Sequence, residues 1–411
     1  MRARILAASA FSALLLAAAP ARGQQRVYAI TPQIVFLPQD GVALEAATGH
    51  VAWRMNRFDG RVLTDGRGLL IYSYLAGIND LLHFHEYRVC RVHSANGKRI
   101  WCMIVAHLDD LALSSSGDLL FLRQQHTLEI RASASGSRLA SFNLGGFDDP
   151  EVLALPGDGV AVFSSSMRRS RLLTIFYRDQ AAQARMRIFD HPLHAFHGPG
   201  PGVLWYAPAA GQFVSIADGG QPAAYGGAAT ASFPRAVTGG AGFLIERQQR
   251  DAWDLAGGLY AGRTWNRTLG ERAAMYLAGG AALLLSARTE KADGKGGMGP
   301  AAAAVGTQVR SIALADGRER FRVSLPVQLD VALLDADPAP SPNAALLGPQ
   351  AIVLLDGRTG AIRWWRDYAR DQLAALTAPA VLVWDNGELV ALARANGDVL
   401  WRVHFRLVGH S

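Results

Sequence analysis

Short apolar runs punctuate the chain at close intervals, separated by polar, glycine-containing turns. Ile34-Val35-Phe36-Leu37, Leu69-Leu70-Ile71-Tyr72, Leu119-Leu120-Phe121-Leu122 and Val381-Leu382-Val383-Trp384 are such runs. They are too short for helices and suit strands covered on both faces. One stretch holds the whole pattern. Ala351 to Leu355 is an apolar strand, Asp356 to Gly360 is rich in turn formers, and Ile362 and Trp364 follow two apart, on one face of a returning strand. Gly360 can take a positive φ without steric cost, as a tight hairpin requires.

The same stretch recurs along the chain. Leu44 to Trp53 aligns with it without a gap, with Gly49 at the turn, and so does Val92 to Trp101, with Gly97. Ile312 onward follows with Gly317, where Phe321 stands in place of tryptophan, and Leu392 to Trp401 carries Gly397. In each clear copy the aromatic residue stands four positions after the glycine. Weaker copies centre on Gly136, Gly219 and Gly262, and a hairpin from Leu172 to Phe189 has lost the glycine. Spacings of 48 (Gly49 to Gly97), 43 (Gly317 to Gly360) and 37 (Gly360 to Gly397) mark a repeat architecture. Four short strands per unit is the dimension of a propeller blade. The expected fold is all-β: a single β-propeller of four-stranded blades over residues 24–411, with no dividing linker. Nine strand–turn–strand units can be counted. Eight blades is the number taken, with one weak unit read as spurious or shared at the closure, and seven is the alternative.

The pattern Leu-Asp-Ala-x-Thr-Gly-x-x-x-Trp, best carried by Leu44 to Trp53, Leu355 to Trp364 and Leu392 to Trp401, resembles the repeat of pyrroloquinoline-quinone-like (PQQ-like) β-propellers of the quinoprotein superfamily. The resemblance weakens between about Asn143 and Ala304. It implies architecture more than activity, because many members of that superfamily bind no quinone. WD40 repeats match less well, since Trp384-Asp385 precedes a turn rather than ending a repeat.

Residues 1–23 read as a secretory signal peptide: Arg2 and Arg4, then an apolar Ile5 to Ala19, then small residues suited to cleavage. No cysteine follows that segment, so no lipid anchor is expected, and no later stretch is long and apolar enough to be a transmembrane segment. The expected location is periplasmic or secreted. The formal charge of +7 includes Arg2, Arg4 and Arg22, and losing those three leaves +4 on the mature chain. That is too dilute for a nucleic-acid footprint. The cluster Arg168, Arg169 and Arg171 reads as a solvated edge, with a site for an acidic partner as the alternative. Lys291 to Pro300 and Asp337 to Pro342 read as irregular loops.

Cys90 and Cys102 are the only cysteines. With Ala95-Asn96-Gly97 as a three-residue hairpin loop, Val92 faces Ile100 and Cys90 faces Cys102. A disulfide is expected in an exported protein, against the alternative of two buried thiols. His83 with His85, and His191 with His194 and His197, have metal-like spacing, but neither group has a cysteine or carboxylate partner in sequence. No metal, cofactor or catalytic residue is assigned. Quinone-dependent relatives carry a disulfide between adjacent cysteines, a calcium held by side-chain oxygens and a catalytic aspartate, none of which can be placed here. The expected function is a noncatalytic scaffold in the cell envelope, binding a protein, peptide or other ligand. The alternative is a PQQ-dependent dehydrogenase or other propeller enzyme. The residues that define the repeat are Gly49, Trp53, Gly97, Trp101, Gly317, Phe321, Gly360, Trp364, Gly397 and Trp401.

Overall fold

The computed structural model describes residues 26–404, apart from 59, 66–67, 80–83, 198–201, 209–211, 217–221, 227–233, 240–241, 250–251, 261–263, 279, 290–303, 335–342 and 368–371. The segment expected to be a signal peptide, the two segments expected to be irregular loops, His83, Gly219 and Gly262 lie outside the described residues.

Each unit of sequence folds into a four-stranded antiparallel meander, and the described residues hold nine of them. Blades 1 to 9 span residues 28–54, 60–106, 108–143, 151–189, 194–226, 235–269, 274–325, 331–367 and 372–404. Burial follows position within the blade. The middle strands of blade 8, Ala344–Leu347 and Ala351–Leu355, are buried throughout. Neighbouring blades cover both of their faces, which is why these strands read as continuous apolar runs. The inner strand of blade 9, Gln372–Leu376, and its outer strand, Val399–His404, are each buried only at intervals.

The core therefore lies between blades. Nine hydrophobic clusters each combine residues of two adjacent blades. One of them joins Val35 and Leu44 of blade 1 to Leu382 and Trp401 of blade 9, so the two ends of the chain meet and the ring is closed. The Ala378 N–H donates to the Pro32 carbonyl at 2.8 Å across the same junction. All four strands of every blade come from consecutive sequence, so side-chain packing and these few hydrogen bonds close the ring.

The blade number corrects the expectation of eight or seven: there are nine. Each counted unit is a blade, including the hairpin around Ala182, whose turn has no glycine. Asp179 and Gln180 form that turn at φ of 50° and 62°, flanked by the pair Arg178 and Ala181. Both central residues with φ > 0 is the type I′ geometry, for which glycine and asparagine are the usual occupants.

The glycine-bearing turns share one form. The loop is not the three-residue one expected. His93 N–H donates to the Lys98 carbonyl at 2.9 Å and Gly97 N–H to the His93 carbonyl at 2.7 Å, which encloses four residues. A β-bulge follows, so Val92 pairs with Arg99 rather than Ile100, and the register recovers to bring Cys90 opposite Cys102. The residue before the glycine caps the turn. Thr359 Oγ1 accepts from Ala361 N–H at 3.2 Å, and Asn396 Oδ1 accepts from Asp398 N–H at 3.0 Å. Short polar side chains make such local bonds readily, which accounts for Thr, Asn, Asp or Ser at this position.

Candidate functional site

The glycine and the aromatic residue of the repeat meet across blade junctions. Trp364, on the outer strand of blade 8, donates its indole N–H to the Arg394 carbonyl in the turn of blade 9 at 3.1 Å. Its ring lies where a Cβ at Gly397 would stand, 2.8 Å from that position. Trp53 caps Gly97 and bonds the Ser94 carbonyl, Trp101 caps Gly136 and bonds Ser133, and Trp265 caps Gly317 and bonds Leu314. Phe321 lies on Gly360 with no N–H to donate. Trp401 closes the series on Gly49, with a bond of 3.0 Å to the Ala46 carbonyl. The glycines thus serve two ends: all six take φ between 66° and 76°, and their missing side chain leaves room for the neighbour's ring. Trp265 was missed in sequence because it stands three, not four, residues after Gly262.

Blade 3 has Ala140 where the tryptophan would be, four residues after Gly136. At that junction Ala140 and Phe142 of blade 3 and Tyr177 of blade 4 all pack against the shared apolar cluster. The absent tryptophan and the glycine-free turn of blade 4 are one feature seen from its two sides.

Cys90 and Cys102 form a disulfide across adjacent strands of blade 2. Cys90 is fully buried beside Trp53, Phe58 and Tyr72, between blades 1 and 2.

A cavity of about 690 Å³ opens along the inner strands of blades 1 to 5. Asp65, Asp110, Glu151, His197 and Ser114 to Ser116 supply its polar wall, and among the described residues no lysine or arginine lines it. Several of these groups are already committed to holding blades together. Asp110 accepts from Arg61 of blade 2 at 2.6 Å and from the Val152 N–H of blade 4 at 2.9 Å. Asp158 reaches from blade 4 to Ser116 N–H at 2.9 Å and Ser115 Oγ at 3.2 Å in blade 3. Burial pushes the Asp158 carboxyl up, but these bonds, with help from Ser114, outweigh it and hold its pKa below the ordinary value. Glu151 is exposed at the cavity wall, as is His197.

The cavity suits a cationic or hydroxyl-bearing ligand better than an anion. Pyrroloquinoline quinone carries three carboxylates and would meet an acidic wall here. Cys90 of the disulfide lies inside a blade interface and Cys102 is exposed, and neither lines the cavity. These residues do not fit a quinone cradle. Of the expected histidine trio, His197 lines the cavity and His191 packs edge-on against Phe189 at 5.9 Å. Among the described residues no three or more His, Cys, Asp or Glu converge on a point.

The fold and its central cavity define a β-propeller. No protein-family model matches the sequence, and no curated protein matches it. Among solved structures, the chain is similar to a eukaryotic initiation factor at 10% identity and a TM-score of 0.57, over 84% of this chain and 87% of that one. BamB from Moraxella catarrhalis overlaps at 14% identity and a TM-score of 0.34, over 90% of this chain and 96% of that one. Identities this low speak to the fold alone.

Proposed function

We propose that the protein is an exported, noncatalytic propeller that serves as a binding scaffold in the cell envelope and engages a protein or peptide partner. The observation that carries this reading is the frame itself: a closed ring whose blades are clamped by aromatic rings on glycines and which turns nine sheet edges outward. Such a frame presents edges and loops in fixed relation to one another, which favours binding with little ordering cost. Export is supported by the Cys90–Cys102 disulfide, since such bonds persist in oxidising compartments. Among the described residues no helix is long and apolar enough to cross a membrane.

The test pairs two measurements on purified residues 24–411. Affinity capture from the envelope fraction is expected to retain a defined partner, with affinity that for a transient contact is about micromolar. Incubation with pyrroloquinoline quinone and calcium is expected to leave no retained chromophore and no alcohol- or sugar-dependent dye reduction. Stoichiometric quinone retention with turnover would overturn the scaffold reading.

A further inference from the structure

We propose that the outer edge of blade 4 is the docking strand, and that its partner is an extended acidic peptide segment of alternating carboxylate and apolar residues. The proposal rests on the scaffold reading and names the surface and the chemistry of what it binds.

The outer strand of blade 4, Ala181–Phe189, has nine residues and is the longest outer strand among the described residues. It is the last strand of its sheet, so its outward backbone edge has no strand partner. Six other outer strands set an aromatic ring on the next blade's turn glycine, whereas this one carries no tryptophan and is mostly exposed from end to end. An open edge of this length is a template for adding a further strand.

The side chains on the strand fall into two sets. Arg185 and Arg187 stand on one face, while Ala184, Met186 and Ile188 alternate with them on the other. Met186 is 52% exposed and Ile188 56%, and Met167 in the adjoining hairpin tip is 96% exposed. Arg171 lies opposite Ile188 in the neighbouring strand, and Arg168 extends from the hairpin tip. Among the described residues Arg168, Arg171, Arg185 and Arg187 have no carboxylate partner, and the one ion pair at this corner joins Arg169 to Asp190 at 3.8 Å. Several outer-strand arginines elsewhere are neutralised: Arg138 meets Glu129 at 3.4 Å, Arg363 meets Asp356 at 2.8 Å and Arg402 meets Glu388 at 3.7 Å.

Arginine on an edge also discourages indiscriminate strand pairing. That role needs no exposed apolar face beside it, yet Met186 and Ile188 stand more than half exposed. Unpaired cations alternating with exposed apolar groups select for one kind of added strand. Its carboxylates would fall opposite Arg185 and Arg187, and its apolar side chains opposite Ala184, Met186 and Ile188. A flat anionic membrane surface would use the cations but not the open backbone edge.

The probe is a fluorescent synthetic peptide of alternating glutamate and valine, titrated into residues 24–411 and followed by anisotropy. Binding that weakens with added salt is expected. R185E/R187E should reduce affinity by about tenfold or more at unchanged melting temperature, and should create binding to a lysine–valine peptide of the same length. The proposal is overturned if the glutamate peptide does not bind, if R185E/R187E binds it equally, or if phosphatidylglycerol vesicles bind through these arginines while the peptide does not. Envelope capture separates the two readings: a partner still retained by R185E/R187E removes this surface and leaves the scaffold standing.

Discussion

At the scale of single residues, the turn positions carry most of the specification. Gly397 holds φ at 76° and leaves space for the Trp364 ring, so one residue type answers a local and a long-range demand together. Asp356, in the preceding turn, has a different task. Arg363 hydrogen-bonds its carboxylate. Partial burial works the other way, and the N–H groups of Thr359 and Arg358 with the Thr359 hydroxyl add to the first effect. The pKa falls to about 2 from 3.8. A depressed pKa stabilises the fold above the unfolded value, and that stability is lost as pH falls from about 4 toward 2. Melting temperatures of the protein and of Asp356→Asn should therefore differ at about pH 5 and converge as pH drops to about 2. A constant gap across that window would show that the carboxylate does not titrate as described. The glycines and aromatic residues were legible in sequence as a spacing. Their contact was not, because a residue spacing within one hairpin carries no sign that the two partners belong to different blades.

At the scale of the hairpin and the blade, the repeat is strong where a junction uses the aromatic–glycine contact and weak where it does not. Blade 3 offers Ala140, and the turn of blade 4 accordingly has Asp179 and Gln180 with no glycine. Weak units of this kind are why the sequence reading took eight blades from nine counted units. The bulge after each shared turn also escaped the sequence, since an extra residue in one strand leaves no mark on apolar periodicity. The cysteine pairing was legible because the bulge and the four-residue loop shift the register in compensating ways. Cys90–Cys102 closes a short loop within blade 2, with a sequence separation of 12. Its contribution is about 3 kcal/mol or less. Intact-mass measurement after alkylation should show no modified thiol without reductant. Reduction should lower the denaturation midpoint without abolishing folding. Two thiols alkylated in unreduced native protein would contradict the bridge.

At the scale of the whole molecule, the account depends on closure. A propeller whose first and last blades did not meet would expose the apolar cluster of Val35, Leu44, Leu382 and Trp401 and would lose the fixed arrangement of edges on which binding depends. The central cavity follows from the same closure, and no linear motif announced it: Asp110 and Glu151 line it because the inner strands of blades 3 and 4 come together. The blade 4 edge was visible in sequence only as the arginine cluster Arg168, Arg169 and Arg171. Arg185 and Arg187 stand on the next strand, opposite Thr174 and Leu172, through pairing that the turn at Asp179 creates. The direct test of closure is a double-mutant cycle between Trp401 and Gly49, which are far apart in sequence yet in contact across blades 9 and 1. Denaturant unfolding of Trp401→Ala, Gly49→Ala and the double variant gives the coupling energy. The closed ring predicts a coupling of about 1 kcal/mol or more, because once the ring is gone the added methyl at position 49 meets only its own backbone strain. Additivity within about 0.5 kcal/mol would mean that the two residues do not touch, and would contradict the closed nine-blade ring.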